Sequence, residues 1–98
     1  MLAIIQARTS SKRFPNKVLY EINSKPIIIR VIDNVLKSRF ISKVIIATSK
    51  ENSDNSLISL IKKFKYKFYR GSLNNVALRM LNAAKINRVK YFVRINGD

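Results

Sequence analysis

The sequence predicts an α/β fold, in which a parallel β-sheet carries helices on both faces. Short apolar runs alternate with segments whose apolar residues recur at helical spacing, in the order β-α-β-α-β-α-β. No internal repeat, low-complexity tract or Pro/Gly-rich linker interrupts this alternation. A chain of 98 residues is long enough for one domain with a modest core. We therefore treat residues 1–98 as one folding unit.

The first strand and the first helix are marked by an apolar run and a proline. Leu2–Gln6 is a short apolar run, typical of a parallel strand buried on both faces. Pro26 suits the start of a helix, which the spacing of apolar residues extends to Arg39. The predicted apolar face of this helix consists of Ile28, Ile32, Val35 and Leu36.

The second strand and helix follow the same pattern. Lys43–Thr48 is apolar and rich in β-branched residues, which favours a strand. Ser53 or Asp54 is predicted to cap the next helix, because a short polar side chain can accept a hydrogen bond from a free backbone N–H. The predicted apolar face of this helix consists of Leu57, Ile58, Ile61 and Phe64.

The last third of the chain supplies two more strands around a third helix. The strands are Lys67–Arg70, which is the weaker pattern, and Lys90–Ile95. Asn74 is predicted to cap the helix between them. The predicted apolar face of that helix consists of Val76, Ala77, Met80, Leu81 and Ala84.

The segments that follow the four strands should lie together. In open parallel sheets, ligands bind outside the carboxyl ends of the strands. The four segments hold most of the polar residues that have no evident helical or strand role; they are ARTSSKRFPNK, TSKENSDN, RGSLNN and NGD. The sequence therefore predicts one functional site at this edge.

The first of these segments, Ala7–Lys17, is longer than a usual connection from strand to helix and strongly basic. Its cations are Arg8, Lys12, Arg13 and Lys17. The hydroxyls of Ser10 and Ser11 and the backbone N–H groups could donate to phosphate oxygens. Residues 14–17 have the pattern of a turn. A solvated basic surface loop is the alternative, and the residues alone leave it open.

Composition restricts the chemistry. The 20 Lys and Arg against 5 Asp and Glu give a net charge of +15, which suggests a nucleic acid or a phosphorylated small molecule as partner. A bias toward AT-rich codons is an alternative source of the lysines. The sequence has no Cys and no His, which excludes disulfides, thiolate nucleophiles and imidazole bases. No apolar run could span a bilayer and no signal peptide is recognisable, so we predict a cytoplasmic protein without a membrane partner.

Four segments resemble one enzyme family. The run Gln6-Ala7-Arg8-x-x-Ser11-x-Arg13-x-Pro15-x-Lys17 is similar to the amino-terminal signature of sugar-activating cytidylyltransferases, which include CMP-sialic acid and CMP-KDO synthetases. The likeness is greatest to the branch named for spore-coat polysaccharide biosynthesis. Three further segments match in order; they are Lys25-Pro26-Ile27, FYRGS at 68–72 with Asn75-Val76, and VRINGD at 93–98. Positions 10, 16 and 75 depart from the family pattern, with Ser10, Asn16 and Asn75 in place of Gly, Gly and Asp.

The resemblance implies a Rossmann-like nucleotide-diphospho-sugar transferase fold, of which residues 1–98 would be the nucleotide-binding half, ending after the fourth strand. It implies that Arg13 and Lys17 act in catalysis, since with Arg8 they would hold the triphosphate of CTP. Asp98 would bind Mg²⁺; without the resemblance it is an ordinary solvated carboxylate. The other implied nucleotide-binding residues are Ala7, Ser10, Ser11, Thr48, Ser49, Arg70, Gly71, Ser72 and Asn75.

The implied reaction is attack of a sugar or sugar-acid oxygen on the α-phosphorus of CTP, with release of pyrophosphate, in cell-surface polysaccharide biosynthesis. The family's second half, which supplies the acceptor pocket and most of a homodimer interface, has no counterpart in these 98 residues. We therefore expect the isolated chain to be a fragment that binds CTP weakly without turnover. A nucleotidyltransferase that uses another base and a basic nucleic-acid-binding module remain as alternatives. No RRM, KH or helix-turn-helix signature favours the latter.

Overall fold

The computed structural model describes residues 1–9, 19–72, 75–89 and 91–97. Its strands are β1 (Leu2–Gln6), β2 (Glu21–Ile22), β3 (Lys25–Pro26), β4 (Lys43–Ser49), β5 (Lys67–Gly71) and β6 (Phe92–Asn96). Its α-helices are α1 (Ile27–Leu36), α2 (Asn55–Lys63) and α3 (Val76–Ile86), and a short 3-10 turn, Asn52–Asp54, precedes α2. The predicted alternation of strands and helices is confirmed.

Four of the strands form one parallel sheet in the order β5-β4-β1-β6. The register sets Gln6 of β1 between Ala47 of β4 and Asn96 of β6, so β1 and β6 end at the same level and β4 continues beyond them to Ser49. The ladder continues past β1, where the Ala7 N–H donates to the Ala47 carbonyl at 3.1 Å and the Gly97 N–H donates to the Gln6 carbonyl at 2.8 Å. The predicted fold class, a parallel sheet with helices on both faces, is confirmed.

The helices divide between the two faces of the sheet. The α1/α2 face buries alternate residues of β1 and β4, among them Ala3, Ile5 and Ile46, against Ile32 and Ile61 of the helices. The α3 face buries the intervening strand residues against a single helix; its buried members are Leu2, Ile4, Ile45, Ala47, Met80, Ala83 and Ala84. Burial on both faces explains why β1 and β4 are apolar at nearly every position.

The connection from β1 to α1 is longer than the sequence indicated. It runs from Ala7 to Pro26 and contains the β2–β3 hairpin. Asn23 and Ser24, at the tip of this hairpin, both have positive φ, at 53° and 67°, as a type I′ turn requires. Strands of two residues show no periodicity, so the sequence pattern did not predict this hairpin. Pro26 is the N-cap of α1, as expected.

The helix faces differ in part from the prediction. In α1 the buried residues are Ile28, Ile29 and Ile32, and the helix ends at Leu36, which is exposed, instead of at Arg39. In α2 the predicted face is confirmed: Leu57, Ile58 and Ile61 are buried and Phe64 packs against the core.

The cap and the face of α3 need larger corrections. The N-cap is Asn75 instead of Asn74, and its Oδ1 accepts a hydrogen bond from the Leu78 N–H at 2.9 Å. Leu81 is 60% exposed and Ala77 is also exposed, so neither belongs to the buried face. The face that packs on the sheet contains Met80, Ala83 and Ala84 together with Arg79. Among the helices of the described residues, none is long and apolar enough to cross a membrane.

Candidate functional site

The described parts of the predicted site segments lie at one edge of the sheet. Because β1, β4, β5 and β6 are parallel, the residues that follow them all lie at the carboxyl edge. Arg8, Thr48, Ser49 and the segment 70–72 are described there. The predicted residues Ser10, Ser11, Arg13, Lys17 and Asp98 lie outside the described residues, so their roles stay predictions. The same holds for the turn predicted at 14–17.

A buried carboxylate at this edge ties the end of β1 to the end of β4. Asp54 has no exposed surface, and its Oδ1 accepts hydrogen bonds from the Thr9 N–H at 2.7 Å and from the Thr9 hydroxyl at 2.9 Å. Its Oδ2 accepts a hydrogen bond from the Ser49 hydroxyl. The Thr9 hydroxyl also lies 2.6 Å from the Ser53 carbonyl oxygen. Asp54 occupies the N-cap position of α2 without capping it, because its carboxylate serves these contacts.

The electrostatics of Asp54 agree with this geometry. Burial by itself would raise the pKa of the Asp54 carboxyl, but the hydrogen bonds from Ser49 and Thr9 stabilise the anion and lower the pKa below its ordinary value. The Thr48 hydroxyl also lowers this pKa, although it lies outside normal hydrogen-bond geometry, and its buried Oγ1 has no partner among the described residues. Asp54 is therefore ionised and holds the first residues after β1 in place.

Arg70 holds the segment that follows β4. Its Nε donates to the Ser49 carbonyl at 2.8 Å and its Nη2 donates to the Glu51 carbonyl at 2.9 Å. Thr48 and Ser49 themselves are fully buried, and the Ser49 hydroxyl accepts a hydrogen bond from the Glu51 N–H at 3.2 Å. The structure therefore gives the predicted pocket residues Ser49 and Arg70 supporting contacts within the edge, and it buries the predicted pocket residue Thr48. Their contact with a base stays a prediction.

Gly71 and Ser72 lie beside a buried arginine that the sequence did not indicate. A Cβ at Gly71 would lie 3.0 Å from the Arg79 Cγ and 2.8 Å from the Tyr69 Cε2, so the side chain of Arg79 passes where any larger residue would stand. The Arg79 Nη1 donates to the Ser72 carbonyl at 3.0 Å. The Ser72 hydroxyl accepts a hydrogen bond from the Asn75 N–H at 3.1 Å. Asn75 thus caps α3 and closes the turn after β5.

Ala7 and Arg8 begin the basic connection. Ala7 is 1% exposed and packs in the core of the α1/α2 face. Its side chain is therefore occupied by core packing, and Ala7 can serve the site only through its backbone. Arg8 is half-buried and makes no side-chain hydrogen bond to the described residues. Its charge adds to burial in lowering the pKa of the Arg79 guanidinium.

A magnesium ion at this edge would need oxygen ligands. The described residues contain no group of three or more His, Cys, Asp or Glu side chains that could hold a metal. Mg²⁺ commonly takes only one or two protein carboxylates and completes its shell with phosphate oxygens and water. Asp98, the predicted ligand, directly follows Gly97, which hydrogen-bonds to the end of β1. The role of Asp98, which lies outside the described residues, in binding Mg²⁺ stays a prediction.

Three of the residues that shape this edge were not predicted as site residues: Thr9, Asp54 and Arg79. Asp54 was interpreted as a helix cap and Arg79 as one cation among twenty. The sequence did offer a signal for Asp54. The chain has only 5 acidic residues, and Asp54 follows β4, which is next to β1 in the sheet. No comparable signal marks Arg79, because its burial depends on the packing of α3.

Comparison with known proteins agrees with the predicted family and with the fold. The family model described as cytidylyltransferase matches residues 2–98. An uncharacterized protein of Methanocaldococcus jannaschii is 36% identical over 98 residues. The spore coat polysaccharide biosynthesis protein SpsF of Bacillus subtilis is 31% identical over 102 residues, with all of this chain covered. A 3-deoxy-manno-octulosonate cytidylyltransferase of Wigglesworthia glossinidia brevipalpis is 47% identical over 62 residues, or 63% of this chain and 24% of that protein.

A solved structure shows the same architecture. The cytidylyltransferase from Leptospira borgpetersenii superposes with a TM-score of 0.90 at 32% identity, over 98% of this chain and 40% of that one. The chain likewise spans 40% of the M. jannaschii protein and 42% of the B. subtilis protein, so it corresponds to less than half of these relatives. By its match over nearly its whole length, the chain belongs to the cytidylyltransferase family.

Proposed function

We propose that this chain forms the CTP-binding part of a nucleotidyltransferase that transfers a cytidylyl group to a sugar or sugar acid. Membership of the cytidylyltransferase family supports the nucleotide and the reaction. The observation that carries the proposal is the convergence of the signature-bearing segments at one edge of the sheet, where Asp54 fixes the start of the basic connection through Thr9. Open parallel sheets bind their ligands at this position.

The chemistry requires charge and position more than a covalent catalyst. An acceptor oxygen would attack the α-phosphorus of CTP, a new P–O bond would form, and the bond to the pyrophosphate leaving group would break. Arg8, Arg13 and Lys17 would hold the triphosphate, since guanidinium and ammonium groups donate hydrogen bonds and offset phosphate charge. Mg²⁺, held by Asp98 and phosphate oxygens, would neutralise charge that develops on the leaving group. The lack of His and Cys is compatible with this chemistry.

The acceptor and the pathway are the finer parts of the proposal. The names of the relatives concern spore coat polysaccharide in one case and 3-deoxy-manno-octulosonate in the other, which supports an acidic or neutral sugar destined for a surface polysaccharide. The relatives are more than twice as long as this chain. We propose that the complete enzyme acts as a homodimer, and that the 98 residues alone bind CTP without turnover.

Calorimetric titration of the chain with CTP and Mg²⁺ tests the proposal. We expect saturable binding that the double variant Arg13→Gln, Lys17→Gln weakens roughly 10- to 100-fold, the range for the loss of charged hydrogen bonds. The variant Arg39→Gln is the matched control, because it removes one exposed cation from the α1–β4 connection. Binding that the double variant does not change would overturn the phosphate site.

Two further titrations separate the alternatives. Equal affinity for CTP, UTP, ATP and GTP would favour a nucleotidyltransferase without this base preference. Binding to random single-stranded DNA that falls steeply with salt and that CTP does not displace would favour a nucleic-acid-binding module. We expect CTP to bind more tightly than the other nucleotides and to displace any bound DNA.

A further inference from the structure

The α3 face of the sheet adds two arginines, Arg79 and Arg94, to Arg8, which the sequence motif already assigns to the triphosphate. Arg94 pairs with Ile4 in the β1–β6 register, so the two side chains share the α3 face. Its Nη2 donates to the Gln6 Oε1 at 3.1 Å, which confirms that orientation. The alternation along the chain after Gln6 brings Arg8 to the same face. Arg79 approaches this face from α3.

Arg79 is the unusual member of this group. It has no exposed surface, yet only one of its nitrogens has a protein partner: Nη1 donates to Ser72, while Nε and Nη2 have none among the described residues. A buried guanidinium with unpaired donors destabilises a fold, so such a group in a native protein calls for a partner. A guanidinium has five N–H donors in a planar fork that matches the oxygens of phosphate.

The charges around Arg79 do not balance within the described part of the chain. Burial lowers the pKa of Arg79, Arg8 and Arg94 lower it further, and Asp54 raises it. Asp54 is the one described carboxylate that acts on Arg79, and its oxygens are already bonded to Thr9 and Ser49. Three guanidinium groups therefore share the influence of one engaged carboxylate. A bound polyanion would supply the missing negative charge.

The backbone also makes room for this side chain. Gly71 ends β5, and a Cβ there would lie 3.0 Å from the Arg79 Cγ. The Ser72 carbonyl, which Arg79 contacts, belongs to the turn that Asn75 closes. Arg79 is thus held by its stem beside Gly71 and by the hydrogen bond from one nitrogen to Ser72. A donor held in advance loses little conformational entropy when it binds a ligand.

We propose that Arg79, Arg8 and Arg94 form an oxyanion site on the α3 face that binds a phosphate group, with Arg79 as its buried donor. The inference rests on the proposed function only for the class of ligand, a phosphate of the nucleotide or of the pyrophosphate product. It assigns Arg79 and Arg94 a contact that lies on the α3 face, beyond the residues of the basic connection.

Titration with inorganic pyrophosphate and with CTP, each with Mg²⁺, tests the site on the 98-residue chain. We expect Arg94→Gln, which changes an exposed side chain, to weaken binding of both ligands roughly tenfold, as the loss of one charged contact does. Arg79→Met should weaken binding roughly 10- to 100-fold. Arg79→Lys should also weaken it, because a lysine keeps the charge without the planar fork. Arg39→Gln is the matched control and should bind as the wild type does.

The melting temperature without ligand separates a binding role from a structural one. If Arg79 serves a ligand, Arg79→Met should melt at or above the wild-type temperature, because it removes an unpartnered buried charge. A lower melting temperature for Arg79→Met together with unchanged binding by Arg94→Gln and Arg79→Lys would overturn the site and make Arg79 structural. If Arg79→Met does not fold, Arg94→Gln and Arg79→Lys decide the matter.

The outcomes also separate this inference from the proposed function. Pyrophosphate binding that depends on Arg79 and Arg94, without any preference for CTP, would support the oxyanion site and contradict the cytidylyltransferase proposal. CTP binding that depends on Arg13 and Lys17 but is unchanged in Arg94→Gln and Arg79→Lys would support the function and overturn the oxyanion site.

Discussion

The two faces of the sheet differ in how completely they are covered. The α1/α2 face is covered by two helices and buries isoleucines such as Ile5, Ile32 and Ile46 with almost no solvent contact. The α3 face is covered by one helix, which packs on β1, β4 and β5. A groove of about 400 Å³, lined by Leu81, Phe92 and neighbouring side chains, separates α3 from β6.

The difference suggests that stability and ligand binding are divided between the two faces of the sheet. The face with two helices carries most of the apolar burial that stabilises the fold. The face with one helix carries Arg79 of α3 and Arg94 of β6, and the candidate site lies at its carboxyl edge. Variants that change one face at a time can test this division.

Truncation of a core side chain should give the largest effect. Ile32→Ala, under α1, should lower the free energy of unfolding by about 4 kcal/mol, within the range for large-to-small core changes. Met80→Ala, under α3, should cost about 2 kcal/mol, because the open groove beside α3 lets neighbouring side chains close the space. Urea denaturation of both variants gives the comparison. A larger loss for Met80→Ala would contradict the assignment of the main core to the α1/α2 face.

Removal of the buried carboxylate of Asp54 should give the next largest loss of stability. Asp54→Ala leaves the Thr9 and Ser49 donors without their acceptor and should lower the free energy of unfolding by about 3 kcal/mol. Asp33→Ala is the matched control, because Asp33 also has two partners, Lys25 at 2.6 Å and Tyr66 at 2.7 Å, but is partly exposed. It should cost about 1 kcal/mol or less. Equal losses of unfolding free energy in urea denaturation would contradict a larger contribution from the buried Asp54 than from the partly exposed Asp33.

The stability of the chain should fall in acid through the same carboxyl. The folded-state pKa of Asp54 is lowered, so its contribution is present above the unfolded-state pKa of about 3.9 and is lost as the pH falls through the folded-state value. Asp33, whose pKa Lys25 and Tyr66 lower, adds a second contribution with the same sign. Denaturation between pH 6 and pH 2, roughly, should show a smaller acid slope for Asp54→Ala than for the wild type. Identical slopes would exclude an ionised Asp54.

Replacement of the two glycines by alanine should lower the free energy of unfolding by smaller amounts. The losses should differ, because one glycine lies on each face of the sheet. A Cβ at Gly97 would lie 2.8 Å from the Gln6 carbonyl oxygen, which is backbone, and close to Ile28, so Gly97→Ala should cost about 2 kcal/mol. A Cβ at Gly71 meets only side-chain atoms, of Tyr69 and Arg79, which can shift, so Gly71→Ala should cost about 1 kcal/mol. Thermal melts of both variants decide the order.

A polar side chain in the groove should change stability least. Leu81 is 60% exposed on α3, and Leu81→Asn should alter the free energy of unfolding by no more than about 0.5 kcal/mol. The control is Leu57→Asn in α2, which is fully buried and should prevent stable folding. A large loss for Leu81→Asn would mean that the groove is covered in solution by another copy of the chain, which light scattering would detect.

The apolar pattern of the sequence predicted some elements well and others poorly. The strands β1 and β4 and the helix α2 were predicted almost to the residue, because apolar runs and apolar faces report burial directly. The β2–β3 hairpin was missed, since two-residue strands are too short to show a period. Ala77 and Leu81 were wrongly assigned to the buried face of α3, because an apolar residue does not reveal whether a partner lies opposite it.

The features of the candidate site also divide into those that the sequence predicted and those that it did not. The sequence by itself determined the parallel α/β class and the edge where the site lies, because apolar alternation dictates which segments form strands and parallel strands end together. It also carried the family signature, which the match over residues 2–98 confirms at the level of the family. Only the tertiary structure decided that Asp54 links Thr9 to Ser49 and that Arg79 is buried beside Gly71. The physical reason is that Thr9 and Asp54 are 45 residues apart in the chain, and that burial of a charge such as Arg79 depends on how helices pack across the sheet, which no local pattern records.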